Sequence, residues 1–149
     1  MGAARHGLSV AVTALWFAGH AFGQTVPNAV GDGLPLPLTA IAGDAVHGEA
    51  LVRSMARASC LICHQAPIPD EPDQGNIGPD LAGVGGRLTA AELRLRLVDA
   101  RVVNPATVMP PYHALTDLTR VRADYAGKTI YSAQEVEDVV AWLLTLKTP

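Results

Sequence analysis

The sequence predicts an all-α domain of short helices joined by long loops. Three observations predict it. Two stretches open with a capping box and continue in helical apolar periodicity, while no stretch sustains the period-two alternation of a strand. Pro/Gly-rich segments separate the helices, and loops that long usually need something to organise them. The aromatic supply is also thin: past residue 23 the chain holds only Tyr112, Tyr125, Tyr131 and Trp142. Such rings usually dominate core burial, so a large apolar cofactor would supply the missing bulk.

Residues 1–23 have the layout of a secretory signal peptide. Arg5 supplies the positive start, Leu8 to Ala18 the apolar run, and Ala21-Phe22-Gly23 the small residues of a cleavage site. The alternative is an uncleaved anchor, but the run is short and His20 interrupts its end. Cleavage after Gly23 leaves 126 of the 149 residues and, with Arg5 gone, moves the formal charge from −3 to −4. The expected product is exported and soluble, with no membrane span. An acidic chain with no basic stripe has little means of binding nucleic acid. Two cysteines cannot build a disulfide framework. No repeat or heptad run points to a solenoid or coiled coil.

Residues 24–43 read as an irregular N-terminal arm, and 44–149 as the domain proper. Asp44 caps a helix predicted over 45–57, with Val46, Ala50, Leu51 and Met55 toward the core. Residues 65–87 form a loop. Thr89 and Glu92 make a capping box for a helix running to Asp99. Residues 101–131 return to loop, broken by Asn104-Pro105 and Pro110-Pro111. Ser132 and Glu135 open the strongest helix, with Val136, Val139, Val140, Leu143 and Leu144 on one face.

The chemistry lies in Cys60-Leu61-Ile62-Cys63-His64, the attachment sequence for c-type haem. Two intervening residues let both sulfurs reach the two vinyl groups of one porphyrin, and the adjacent histidine then lies under the iron. A dithiol redox pair would not need His64, and a zinc site would need further ligands. An exported chain suits haem c, which is attached outside the cytoplasm. The second axial ligand has four candidates: His47, Met55, His113 and Met109. Met55 reads as core filler, and His47 as a solvated surface residue. Met109 is favoured because Pro110 and Pro111 stiffen its loop and 45 residues separate it from His64, enough to wrap a porphyrin. His113 is the alternative, and otherwise an exposed loop residue. The Pro79 carbonyl is placed to accept the other ring N–H of His64. Arg87 reads either as a haem-propionate partner or as a surface charge beside a turn. Arg101, Arg120 and Arg122 read as solvated. Gly83 to Gly86 lack the Lys-Ser/Thr of a phosphate loop. No catalytic residue is expected.

The order of a helix, Cys-x-x-Cys-His, Gly78-Pro79-x-Leu81-x-Gly83-x-Gly85-Gly86-Arg87, Met109-Pro110 and a terminal helix resembles the class I cytochromes c. In that family the first and last helices cross closely, and Gly48 and Trp142 stand where the small residue and the aromatic of the crossing would be. A narrower resemblance, over roughly residues 40–148, is to the SoxX family, the small cytochrome subunits of SoxAX complexes. It rests on Gly75 to Leu88, Val103 to Tyr112, and Tyr125-x-Gly127-Lys128 followed by Ala133 to Ala141. The resemblance implies one haem c with His64 and Met109 as axial ligands, a SoxA-like partner in a heterodimer, and a periplasmic location. SoxAX couples thiosulfate oxidatively to a cysteine of the carrier SoxYZ. Both cysteines here would be spent on thioether bonds, so this chain would be the non-catalytic electron-transfer half. It would pass electrons to a downstream cytochrome or oxidase. Two other readings stay open: a free-standing periplasmic electron shuttle, and a haem enzyme with an open iron position.

Overall fold

The computed structural model describes residue 1, residue 26 and residues 28–148. The expected signal segment, apart from residue 1, and its expected cleavage site lie outside the described residues. Among the described residues four α-helices run in chain order: α1 (Ala45–Arg53), α2 (Val84–Arg87), α3 (Ala90–Asp99) and α4 (Ala133–Leu143), with 3₁₀ turns between them. Among the described residues the only extended pairing is an isolated bridge between Val30 and Gly33. This is the short-helix, long-loop architecture of a class I cytochrome c.

Each helix starts where its cap dictates. The Asp44 carboxylate accepts the N–H groups of Val46 and His47. Thr89 with Glu92, and Ser132 with Glu135, form complete capping boxes on α3 and α4. α1 ends at Arg53, earlier than residue 57, because Ser54 turns extended and Met55–Arg57 form a separate 3₁₀ turn.

The buried face of α1 is only partly the predicted one: Leu51 is buried as expected, but the other three residues are not. Val46 and Met55 are 81% and 72% exposed, and Ala50 is also exposed. The face that packs carries Gly48, Leu51 and Val52. The cause is the close crossing of α1 over α4. A Cβ at Gly48 would overlap the Asp138 carbonyl, and one at Gly43 would overlap that of Glu137. Glycine therefore marks the centre of the contact, and the apolar stripe is rotated to flank it. Trp142 is buried one turn further along α4.

A buried ion pair joins the arm to this frame. Arg94 on α3 donates through Nε and Nη2 to the two carboxylate oxygens of Glu137 on α4, at 2.7 and 2.9 Å. Arg94 Nη1 also donates to the Leu34 carbonyl, and Glu137 accepts the Leu38 N–H. The arm is thus strapped across α3 and α4, with Leu34 in the core. Nearby, the buried Asp138 carboxylate accepts from the Asp44 N–H, the Gln134 amide and the His47 ring, whose Nδ1 lies 2.7 Å away. His47 is half exposed but tied down, not simply solvated. Arg101 is not solvated either. It forks onto the buried carboxylate of Asp99 and donates to the carbonyls of Thr116 and Asp117.

Candidate haem site

The Cys60–His64 segment is held from both ends. The Ser59 hydroxyl, buried, donates to the Val52 carbonyl and accepts the Leu61 N–H, fixing the chain against α1. Cys60–Ile62 then forms a 3₁₀ turn, and the His64 N–H returns to the Cys60 carbonyl. The loop over 75–81 wraps the other side, with N–H groups of Gly75, Gly78 and Leu81 donating to the carbonyls of Leu61, Cys63 and Gln65. Gly78 presses on the His64 ring, where a Cβ would overlap the imidazole. His64 Nδ1 lies 2.7 Å from the Pro79 carbonyl oxygen. With Nδ1–H as the donor, Nε2 is left as the free ligand atom.

Met109 arrives on a loop with its own scaffolding. The Asn104 side chain accepts the Ala106 N–H, its carbonyl accepts the Thr107 N–H, and the Thr107 hydroxyl accepts the N–H of Met109. Pro110 and Pro111 follow, and Tyr112 then pairs its N–H with the Leu97 carbonyl of α3. The Asn-Pro to Met-Pro stretch is thus a sequence of local bonds that sets down one thioether.

These elements enclose a two-lobed cavity. Cys60, His64, Pro79, Met109 and Tyr112 line both lobes, of about 340 and 400 Å³. Cys63 lines one lobe and Arg87 the other. The larger lobe runs between Leu81, Val84, Leu93, Leu97, Val139 and Leu143. Cys60, Cys63, His64, Pro79, Arg87 and Met109 therefore all border this cavity. His113 does not line either lobe; it is half-buried with Nδ1 2.8 Å from the Tyr131 carbonyl oxygen. Met55 and His47 are likewise absent from its walls, and Met55 is a surface residue, not core filler. Sequence reasoning missed Tyr112 and Arg96. Tyr112 stacks on Tyr131 with ring centroids 4.7 Å apart, and its hydroxyl donates to the Ala58 carbonyl.

The donor set fits a haem. It offers one imidazole nitrogen, one thioether and two thiols around an apolar slot. Burial pushes the Cys60 thiol up to about 11. A redox dithiol needs the opposite, a thiol whose pKa is depressed. Among the described residues no three His, Cys, Asp or Glu side chains converge as ion ligands, which leaves a zinc site without donors.

The family model for cytochrome c matches residues 47–147. The chain belongs to the cytochrome c family. Membership implies a covalently bound haem c and an electron-transfer role for this cytochrome. Among solved structures it is similar to a chain of one described as the crystal structure of SoxXA from P. pantotrophus. The two share 33% identity and a TM-score of 0.71, over 78% of this chain and 90% of that one. No curated protein matches the chain. The protein is a SoxX-like cytochrome c.

Proposed function

We propose that this cytochrome is the electron-transfer subunit of a periplasmic SoxAX-type complex, exported by the segment 1–23 with cleavage near Gly23. The observation that carries the proposal is that Met109, His64 and Cys60 line both lobes of one cavity. One haem c, when bound, supplies one-electron exchange between ferric and ferrous iron. Cys60 and Cys63 would hold it covalently, His64 and Met109 would supply the iron with an imidazole nitrogen and a thioether, and the Pro79 carbonyl would fix the His64 tautomer. A thioether opposite an imidazole favours the reduced state. Apolar side chains of α2, α3 and α4 line the larger lobe and would shield a bound group from water. With both thiols spent, the chain offers no nucleophile for substrate. A SoxA-like partner would handle thiosulfate and the cysteine of a SoxYZ-like carrier, and this subunit would relay the electrons to a downstream cytochrome or oxidase.

Two measurements test this. Met109→Ala should abolish the weak far-red sulfur-to-iron band of the ferric protein and lower its reduction potential; survival of the band rules out Met109 as ligand. Under mild purification from its native source the protein should elute with a larger haem-bearing partner. Elution as a lone small haem protein would instead identify a free-standing shuttle.

A further inference from the structure

The chain holds three tyrosines, and all three turn their hydroxyls to one short stretch of backbone. Tyr131 donates to the Leu51 carbonyl at 3.3 Å, Tyr125 to that of Ala56 at 3.4 Å, and Tyr112 to that of Ala58 at 3.2 Å. The acceptors span the end of α1 and the turn that leads into the Cys60–His64 segment. That turn closes on Ala58 at φ +58°, a left-handed conformation that a residue with a Cβ holds only at a cost. Tyr112 differs from the other two in what it connects. It stands three residues after Met109, past Pro110 and Pro111. Its N–H donates to the Leu97 carbonyl on α3, and its carbonyl accepts the Tyr131 N–H. Its ring is 4% exposed, lines both lobes of the cavity and stacks on Tyr131. Among the described residues, its hydroxyl makes the only hydrogen bond between residues 103–113 and residues 54–64. The pieces that carry Met109 and His64 are therefore tied to each other directly by one O–H. A phenylalanine would fill the same space and stack as well, so packing alone does not call for that hydroxyl.

We infer that Tyr112 is a positioning residue: its bond to Ala58 fixes the Met109 loop against the Cys60–His64 segment and so keeps the thioether seated across the cavity from the imidazole. The inference rests on the haem reading of the site. Pro110 and Pro111 transmit the restraint, because their fixed φ leaves little freedom between Met109 and Tyr112. Withdrawing Met109 pulls on Tyr112, and the bond that gives way is the one to Ala58, since the other two bonds of Tyr112 are made by its backbone to α3 and to Tyr131. A neutral hydrogen bond of this kind shifts an equilibrium by a factor of about 2 to 10. That factor is the share of Met109's hold that Tyr112 supplies.

The test is a titration of the ferric, haem-loaded full chain with imidazole, followed by loss of the far-red sulfur-to-iron band. It reads how readily an outside nitrogen displaces Met109. Tyr112→Phe should bind imidazole about 2- to 10-fold more tightly than the parent. Tyr131→Phe is the control. It removes a hydroxyl-to-carbonyl bond of the same kind, keeps the ring stack, and lies outside both lobes of the cavity. It should lower stability toward denaturant yet leave imidazole affinity at the parent value. Parent-like affinity in Tyr112→Phe would overturn the inference. Equal gains in the two variants would also overturn it, by making both hydroxyls merely structural. If Tyr112→Phe does not accumulate, hydrogen exchange in the parent answers the question: saturating imidazole should speed exchange of the Tyr112 N–H several-fold, and unchanged exchange would refute the coupling. A parent without covalent pigment, or a far-red band that survives in Met109→Ala, would instead overturn the haem reading itself.

Discussion

Glu137→Gln should be one of the costliest single substitutions in the protein outside the haem site. The change is almost isosteric, but it removes the charge opposite Arg94. Both side chains of the pair are 7% exposed, so solvent offers the orphaned guanidinium little relief. Gln keeps one oxygen, which can still accept both the Leu38 N–H and the Arg94 Nε–H that share Oε1 now, but it turns an amide N–H₂ toward Arg94 Nη2, donor against donor. Removing one partner of a buried ion pair costs about 3–5 kcal/mol. At about 4 °C per kcal/mol the melting temperature should fall by roughly 10–20 °C. The double variant Arg94→Met with Glu137→Met should recover part of this. It cannot recover all, because the Leu34 carbonyl and Leu38 N–H lose their partners as well. The assay is denaturant unfolding of the haem-loaded protein followed by circular dichroism. Limited proteolysis over residues 28–43 reports release of the arm. A loss under about 1 kcal/mol, with the arm still protected, would refute the buried-pair account, since exposed pairs cost no more than that.

Other consequences concern the helix crossing. Gly48→Ala must push α1 off the Asp138 carbonyl. Overpacking of this kind costs about 1–3 kcal/mol, set against a helix-propensity gain of about 1 kcal/mol. A clear loss of stability on denaturant unfolding is expected, and a neutral or stabilising result would mean the helices are not in close contact there. Asp138 sets an acid limb. Burial alone would raise its carboxyl, but bonds from the Asp44 N–H, His47 and Gln134 outweigh it and hold it below the usual range. Its contribution is therefore fully present above the ordinary value of about 3.9 and is lost as pH falls through the lower folded value. Asp138→Asn should be less stable at neutral pH and should lose less on acidification below about pH 4, measured by thermal melts across pH.

Features confined to a few neighbouring residues could be read directly from the chain. The capping boxes at Thr89 and Ser132 each need only four residues, and they placed α3 and α4 correctly. Cys60 to His64 is equally local, and the structure sets it beside Pro79, Arg87 and Met109 on one cavity. The face of α1 was misread because the hydropathy pattern gives weight to Val46 and Met55 and none to Gly48, although the missing Cβ is what lets α4 approach. Arg94 with Glu137, and His47 with Asp138, were invisible for another reason. Their partners stand 43 and 91 positions apart, and each residue alone reads as a surface charge. Arg101 was missed despite having its partner two residues away, because nothing in the sequence signals that Asp99 is buried.

The central claim is that one haem is bonded covalently to Cys60 and Cys63. The intact mass of protein from an export-competent host that matures c-type cytochromes tests it most directly. The account predicts the mass of the chain from Gln24 plus one haem, with colour that stays in the protein through acid acetone. Colourless protein, or pigment that extracts and leaves the bare polypeptide mass, would contradict it.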